Sequence, residues 1–132
     1  MSEENVEVVR RNTEAILRGD LDAAFENVDP RVLWEETAGL GPDASVYRGI
    51  AEAREALESW FGMWSEYESE VVEYLDAGDE VVTLSRERAL GRSGVTVERE
   101  VGTVSTLSNG QVVRVRLFAG WREALEAAGL SD

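Results

Sequence analysis

Residues 80–118 read EVVTLSRERALGRSGVTVEREVGTVSTLSNGQVVRVRLF, and this stretch decides the fold. Apolar and polar residues alternate through it with the period of two that marks strands, in runs 80–90, 95–107 and 111–118. Arg92-Ser93-Gly94 and Ser108-Asn109-Gly110 break the runs. Asn109-Gly110 is a strong two-residue hairpin signal, because both centres tolerate positive φ. A further strand at 68–75 precedes them across Gly78-Asp79. The longest runs would each extend roughly 35 Å, and strands that long coil around something.

Upstream the period changes to that of helices. Val6, Val9, Thr13, Ile16 and Leu17 share a face over residues 3–18, with Ser2 as a cap and Gly19 as a stop. Asp20 caps a short second helix through Phe25 and Val28, stopped before Pro30. Residues 31–37 read as a strand and 38–46 as a loop rich in turn formers. From 50 to about 65, Ile50, Ala53, Leu57, Trp60, Phe61 and Trp64 form one broad helical face. Residues 121–128 close the chain as a helix before Gly129. The order predicts an α+β fold: a curved antiparallel sheet as the wall of a cone, with helices packed on its concave face. The mouth of such a cone is a small-molecule site. No repeat, linker or composition break divides residues 1–132, which read as a single domain.

Composition narrows the chemistry. The chain has no Cys, no His and no Lys; all 13 basic residues are Arg. That excludes thiolate nucleophiles, Ser-His-Asp machinery, most zinc sites and Schiff-base chemistry. Any acid or base must be Asp, Glu or Tyr, and any cationic stabiliser Arg or backbone N–H; an enzyme of this composition is expected to work without cofactor or metal, and a non-catalytic role stays open. The net charge of −14 argues against nucleic acid and anionic membrane surfaces as partners. No apolar run approaches a membrane span, and Met1-Ser2-Glu3-Glu4 lacks the order of a signal peptide. The expected location is cytoplasmic.

The element order and several strings resemble the SnoaL-like branch of the NTF2-like superfamily, a cystatin-like cone. The strings are residues 5–19 running into Asp20, Asp29-Pro30 ahead of 32–34, Val46-Tyr47-Arg48-Gly49, the hairpin at 109–114 and the tail at 122–130. The superfamily hosts isomerases, cyclases, epoxide hydrolases, dehydratases and non-catalytic binding proteins. The resemblance implies that Glu36 stands where ketosteroid isomerases carry their base. It implies that Asn12 and Thr103 stand where those enzymes carry a Tyr and an acid that hold the oxyanion. Neither Asn12 nor Thr103 supplies a phenol or a neutral carboxylic acid. The Asp-Arg-Asp arrangement of the epoxide hydrolases has Arg86-Glu87-Arg88 as its nearest string, without the flanking acid on the Arg face.

Read from the residues, Val32, Trp34 and Glu36 share one face of their strand, and Trp34 prefers the interior. Glu36 is therefore a better inward candidate than Glu35. Desolvation in an apolar cone suits a carboxyl group that moves protons. Arg86 and Arg88 share a face with Val82, Leu84 and Leu90, either inward as partners of an anionic oxygen or outward on the surface. The candidate catalytic set is Glu36, Thr103 and Arg86. The candidate substrate wall is Asn12, Ile16, Trp34, Tyr47, Trp60, Trp64, Leu84, Arg88, Val101 and Val115. Glu36 would move the proton, while Asn12, Thr103 and Arg86 would hold oxyanion charge. The reactions in range are isomerisation, aldol-type cyclisation, and hydrolysis or dehydration of a small apolar molecule. The alternative is a non-catalytic ligand-binding or interaction module, with Glu36 in solvent or paired to Arg86 or Arg88. Apolar residues on opposite faces of the late strand, Val112 and Val113, Val115 and Leu117, are expected to leave some apolar groups outside the cone for a second subunit to cover, which predicts a homodimer through the sheet.

Overall fold

The alternation in residues 80–118 becomes three long strands of one six-stranded sheet in the computed structural model, which describes residues 2–40 and 43–130. In chain order the elements are α1 (Ser2–Leu17), α2 (Leu21–Ala24), β1 (Val28–Glu36), a 3-10 turn (Ala38–Leu40), β2 (Val46–Arg48), α3 (Gly49–Gly62), β3 (Trp64–Ala77), β4 (Glu80–Gly91), β5 (Thr96–Ser108), β6 (Gln111–Phe118) and α4 (Trp121–Ala127). The strand order is β2-β1-β6-β5-β4-β3. All pairs are antiparallel except β1 with β6, which run parallel. The cap read at Ser2 and the loop positions Gly41-Pro42 lie outside the described side chains.

The β5–β6 hairpin forms where its turn chemistry requires, with Asn109 at φ 51° and Gly110 at φ 77°. Asp20 caps α2 by accepting from the backbone N–H of Ala23 at 3.1 Å. That helix ends at Ala24 rather than continuing to Val28, because Asn27 turns the chain at φ 58° into β1. Pro30 then lies inside β1, where the pairing with β6 jumps from Val28 to Leu33, so its missing N–H breaks no ladder bond. The helix expected through residue 65 stops at Gly62. Trp64 opens β3 opposite Gly91 instead of closing the helical face.

Two apolar clusters hold the layers. Val9 of α1, Ala53 and Leu57 of α3, and Val32, Trp34, Val81, Leu107, Val112 and Val115 of the sheet form the larger one, on the concave side. Val82, Leu84, Val104 and Ala124 form the smaller one with Phe118, Trp121 and Leu125. Val82 and Leu84 alternate with Val81 and Thr83, so α4 packs on the opposite face of the sheet. The expectation of helices on the concave face holds for α1 and α3 and fails for α4. No helix among the described residues is long and apolar enough to cross a membrane.

Candidate functional site

Strand parity aims one set of side chains from each strand at a cavity of about 490 Å³ roofed by α1 and α3. β1 contributes Trp34 and Glu36; β6 contributes Val112, Val115 and Leu117. β5 contributes Arg99, Val101, Thr103 and Ser105, and β4 contributes Thr83, Ser85 and Glu87. Asn12 and Ile16 descend from α1, Trp60 and Phe61 from α3, and Tyr47 stands on β2 beside Trp34. The walls are mostly apolar and aromatic, and the floor carries short hydroxyls.

Glu36 lies on the cavity face and Glu35 on the other, where Glu35 accepts from Arg114 at 2.8 Å. The Oε1 of Glu36 accepts from the backbone N–H of Ser45 at 3.2 Å and from the Tyr47 hydroxyl at 3.5 Å. Burial first, and then the charge of Glu36, raise the Tyr47 phenol above its ordinary value, so it stays a donor. The sheet register sets Glu36, Leu117, Thr103, Thr83 and Tyr74 in one row across five strands. Neighbouring strands lie about 4.8 Å apart, which puts the Cα atoms of Glu36 and Thr103 about 10 Å from each other. The carboxylate and the hydroxyl therefore face the same cavity from strands two apart, without touching each other.

Asn12 is buried, and both hydrogens of its amide are taken. Nδ2 donates to the carbonyls of Ala24 at 2.9 Å and Glu26 at 2.8 Å, and Oδ1 has no partner. Two carbonyl acceptors fix the amide orientation. Asn12 lines the cavity but has no hydrogen left to give an oxyanion, which corrects the role expected of it. Ile16, Trp34, Tyr47, Trp60, Val101, Thr103 and Val115 all line the cavity.

Four expected residues do not. Arg86 and Arg88 are exposed on the opposite face, Arg86 over the Trp121 ring at 4.7 Å and Arg88 paired with Glu98 at 3.2 Å. Leu84 packs under α4. Trp64 stands behind the wall, edge-on to Trp60 at 5.2 Å between ring centroids. The alternation in β4 does not mark its inner face: residues 81–84 are all buried, because the sheet is covered on both sides there. Val112, Val115 and Leu117 of the strand expected to divide its apolar residues between two faces all turn inward; a register shift between Thr106 and Leu107 lets both Val112 and Val115 face the cavity.

The residues that the sequence reading missed are Tyr67, Glu87 and Arg99. Glu87 is 8% exposed, with one oxygen bound by Arg99 Nε and the other by the Tyr67 hydroxyl at 2.5 Å. Burial, then the charge and hydrogen bond of Glu87, push the Tyr67 phenol well above the ordinary phenol value. The signal for Arg99 was its parity with Val101 and Thr103 on β5.

The SnoaL-like domain model matches residues 9–115. The chain belongs to the SnoaL-like domain family. No curated protein sequence matches this SnoaL-like chain. An NTF2-like protein from Burkholderia thailandensis is 26% identical to it, covers 96% of this chain and 95% of its own, and superposes with a TM-score of 0.80. TerC, co-crystallised with polyporic acid, is 18% identical over 96% of this chain and 98% of its own, TM-score 0.79. A Catenulispora acidiphila protein with a ketosteroid isomerase-like fold, in complex with trimethylamine, is 12% identical over 94% and 93%, TM-score 0.73.

Proposed function

We propose that this SnoaL-like protein is a cofactor-independent enzyme that uses Glu36 for acid–base chemistry on a small, largely apolar molecule. The observation that carries the reading is a carboxylate facing a mostly apolar cavity of about 490 Å³, held by a backbone N–H and a phenol. A fixed carboxylate within reach of a C–H or O–H of a bound ring system is what isomerisation, aldol-type cyclisation and dehydration need. Thr103, across the cavity, hydrogen-bonds the developing oxygen charge. Asn12 and Arg86 are not part of this machinery. That TerC was crystallised with polyporic acid supports a small-molecule ligand for this fold. The non-catalytic alternative had Glu36 in solvent or paired to Arg86 or Arg88, and those two guanidiniums lie across the sheet from it.

A thermal-shift screen with fused-ring phenols, ketones and hydroxyquinones tests the reading. A ligand at about a hundred times its Kd adds about 2.7 kcal/mol and raises Tm by a few degrees. Glu36→Gln is expected to keep the binding of a hit and to lower its turnover at least about a hundredfold. Undiminished turnover in that variant sinks the assignment of Glu36.

The proposal also includes a homodimer through the sheet, now on a different surface. The outer face carries two cross-strand rows, Glu68–Arg88–Glu98 and Glu70–Arg86–Glu100, in which acid and base alternate. Sedimentation velocity is expected to show a dimer; a monodisperse monomer contradicts it.

A further inference from the structure

The proton-transfer reading leaves one end of the cavity unused. There Glu87 and Arg99 face each other in register across β4 and β5, and both line the cavity with Trp60 and Tyr67. Glu87 spends both oxygens on holding its neighbours, one on Arg99 Nε and one on the Tyr67 hydroxyl. The guanidinium carbon of Arg99 sits 5.0 Å from the centroid of the Trp60 ring. The Arg99 head is thus fixed from one edge by a carboxylate and from one side by an indole. No described residue takes a hydrogen bond from its two terminal nitrogens, and the side chain keeps 26% of its surface open. A fork of free N–H groups, orientation already set, is the arrangement that recognises paired anionic oxygens.

We propose that Arg99 is a specificity-determining residue that receives the anionic end of a planar organic acid, a carboxylate or an equally acidic enol, whose ring lies along Trp60. This deepens the proposed function and rests on the cavity being a small-molecule site. The register places the two polar ends usefully far apart. Arg99 precedes Thr103 by about 13 Å along β5, and Glu36 is about 10 Å across the strands, so the two Cα atoms lie on the order of 16 Å apart. Both side chains extend inward from there. A rigid molecule of two or three rings reaches from one to the other, anchored at Arg99 and presented to Glu36. The net charge of −14 repels anions at a distance, but salt near 0.15 M screens it beyond about 8 Å, while the contact at Arg99 is within the cavity.

The test is isothermal titration of the protein with 2-naphthoate and with 2-naphthamide, which share a ring and differ in charge. Arg99→Met alone leaves Glu87 buried without its cation, so the variant is the double Arg99→Met, Glu87→Gln, which removes both charges and keeps an acceptor for Tyr67. The wild type is expected to bind the naphthoate at least about tenfold tighter than the amide, the range of a charge-assisted hydrogen bond. The double variant is expected to bind the two alike. Should it fail to fold, Arg99→Lys takes its place and is expected to cut the preference at least about threefold, because Lys lacks the planar fork. Equal binding by the wild type, or a preference that survives in the variant, overturns this inference and leaves the small-molecule reading standing. Binding of neither compound, with hits in the phenol and ketone screen, also overturns this inference alone; binding of neither and no hits overturns both.

Discussion

Asn12 illustrates how a hydrogen-bond inventory decides a residue's chemistry. Its amide hydrogens bridge α1 to the carbonyls of Ala24 and Glu26, so the side chain is a structural tie whose acceptor alone remains. Asn12→Ala strands two carbonyls and is expected to cost about 2–4 kcal/mol in denaturant unfolding, with little effect on turnover once folded. Tyr67 makes the second test at this scale. Its folded phenol is raised above the unfolded value of 10.0 by burial and by Glu87, so the stability linked to it is whole below pH 10. That stability is lost as the pH rises through 10 toward the folded value, because the unfolded chain gives up the proton first. Chemical unfolding between about pH 9 and pH 11 is expected to show this loss, and Tyr67→Phe to reduce it while costing about 1–3 kcal/mol at neutral pH. The placement of Glu36 was legible from its parity with Trp34. The use of Asn12 was not, because its partners are backbone carbonyls that no sequence pattern marks.

Elements were legible where two signals agreed. The hairpin at Asn109-Gly110 combined turn chemistry with alternation on both sides, and β6 runs over the residues read for it, 111–118. Elements were less legible where tertiary contacts overrode local pattern. Trp64 continues the helical periodicity of α3, yet pairing with Gly91 draws it into β3. β4 is apolar on both faces because α4 crosses the outer one, and parity alone cannot then say which face is inside. Gly102 is the position that lets α4 lie so close. A Cβ there would overlap the Cβ of Ala124 and meet the carbonyl oxygen of Gly120 at 3.0 Å. Gly102→Ala is expected to push α4 off the sheet and to lower stability by about 1–3 kcal/mol, read as a drop in the denaturation midpoint. An unchanged midpoint would show that α4 does not depend on this contact.

The molecule as a whole carries 27 carboxylates against 13 guanidiniums. Exposed pairs such as Arg88 with Glu98 add little to stability, so self-repulsion is the larger surface term. Tm is therefore expected to rise as salt goes from about 0.05 M to about 0.5 M; a fall would mean that the ion pairs dominate. The proposed function requires that the cavity between the sheet and the helices α1 and α3, and no other surface patch, binds a small molecule for Glu36 to act on. Val101 faces that cavity from β5 and is 7% exposed. The most direct measurement is the thermal shift given by hits of the ligand screen, in the wild type and in Val101→Phe, which fills the void. A rise of a few degrees is expected in the wild type, and its loss in the variant. A shift that Val101→Phe leaves intact would place the ligand outside the cavity and away from Glu36.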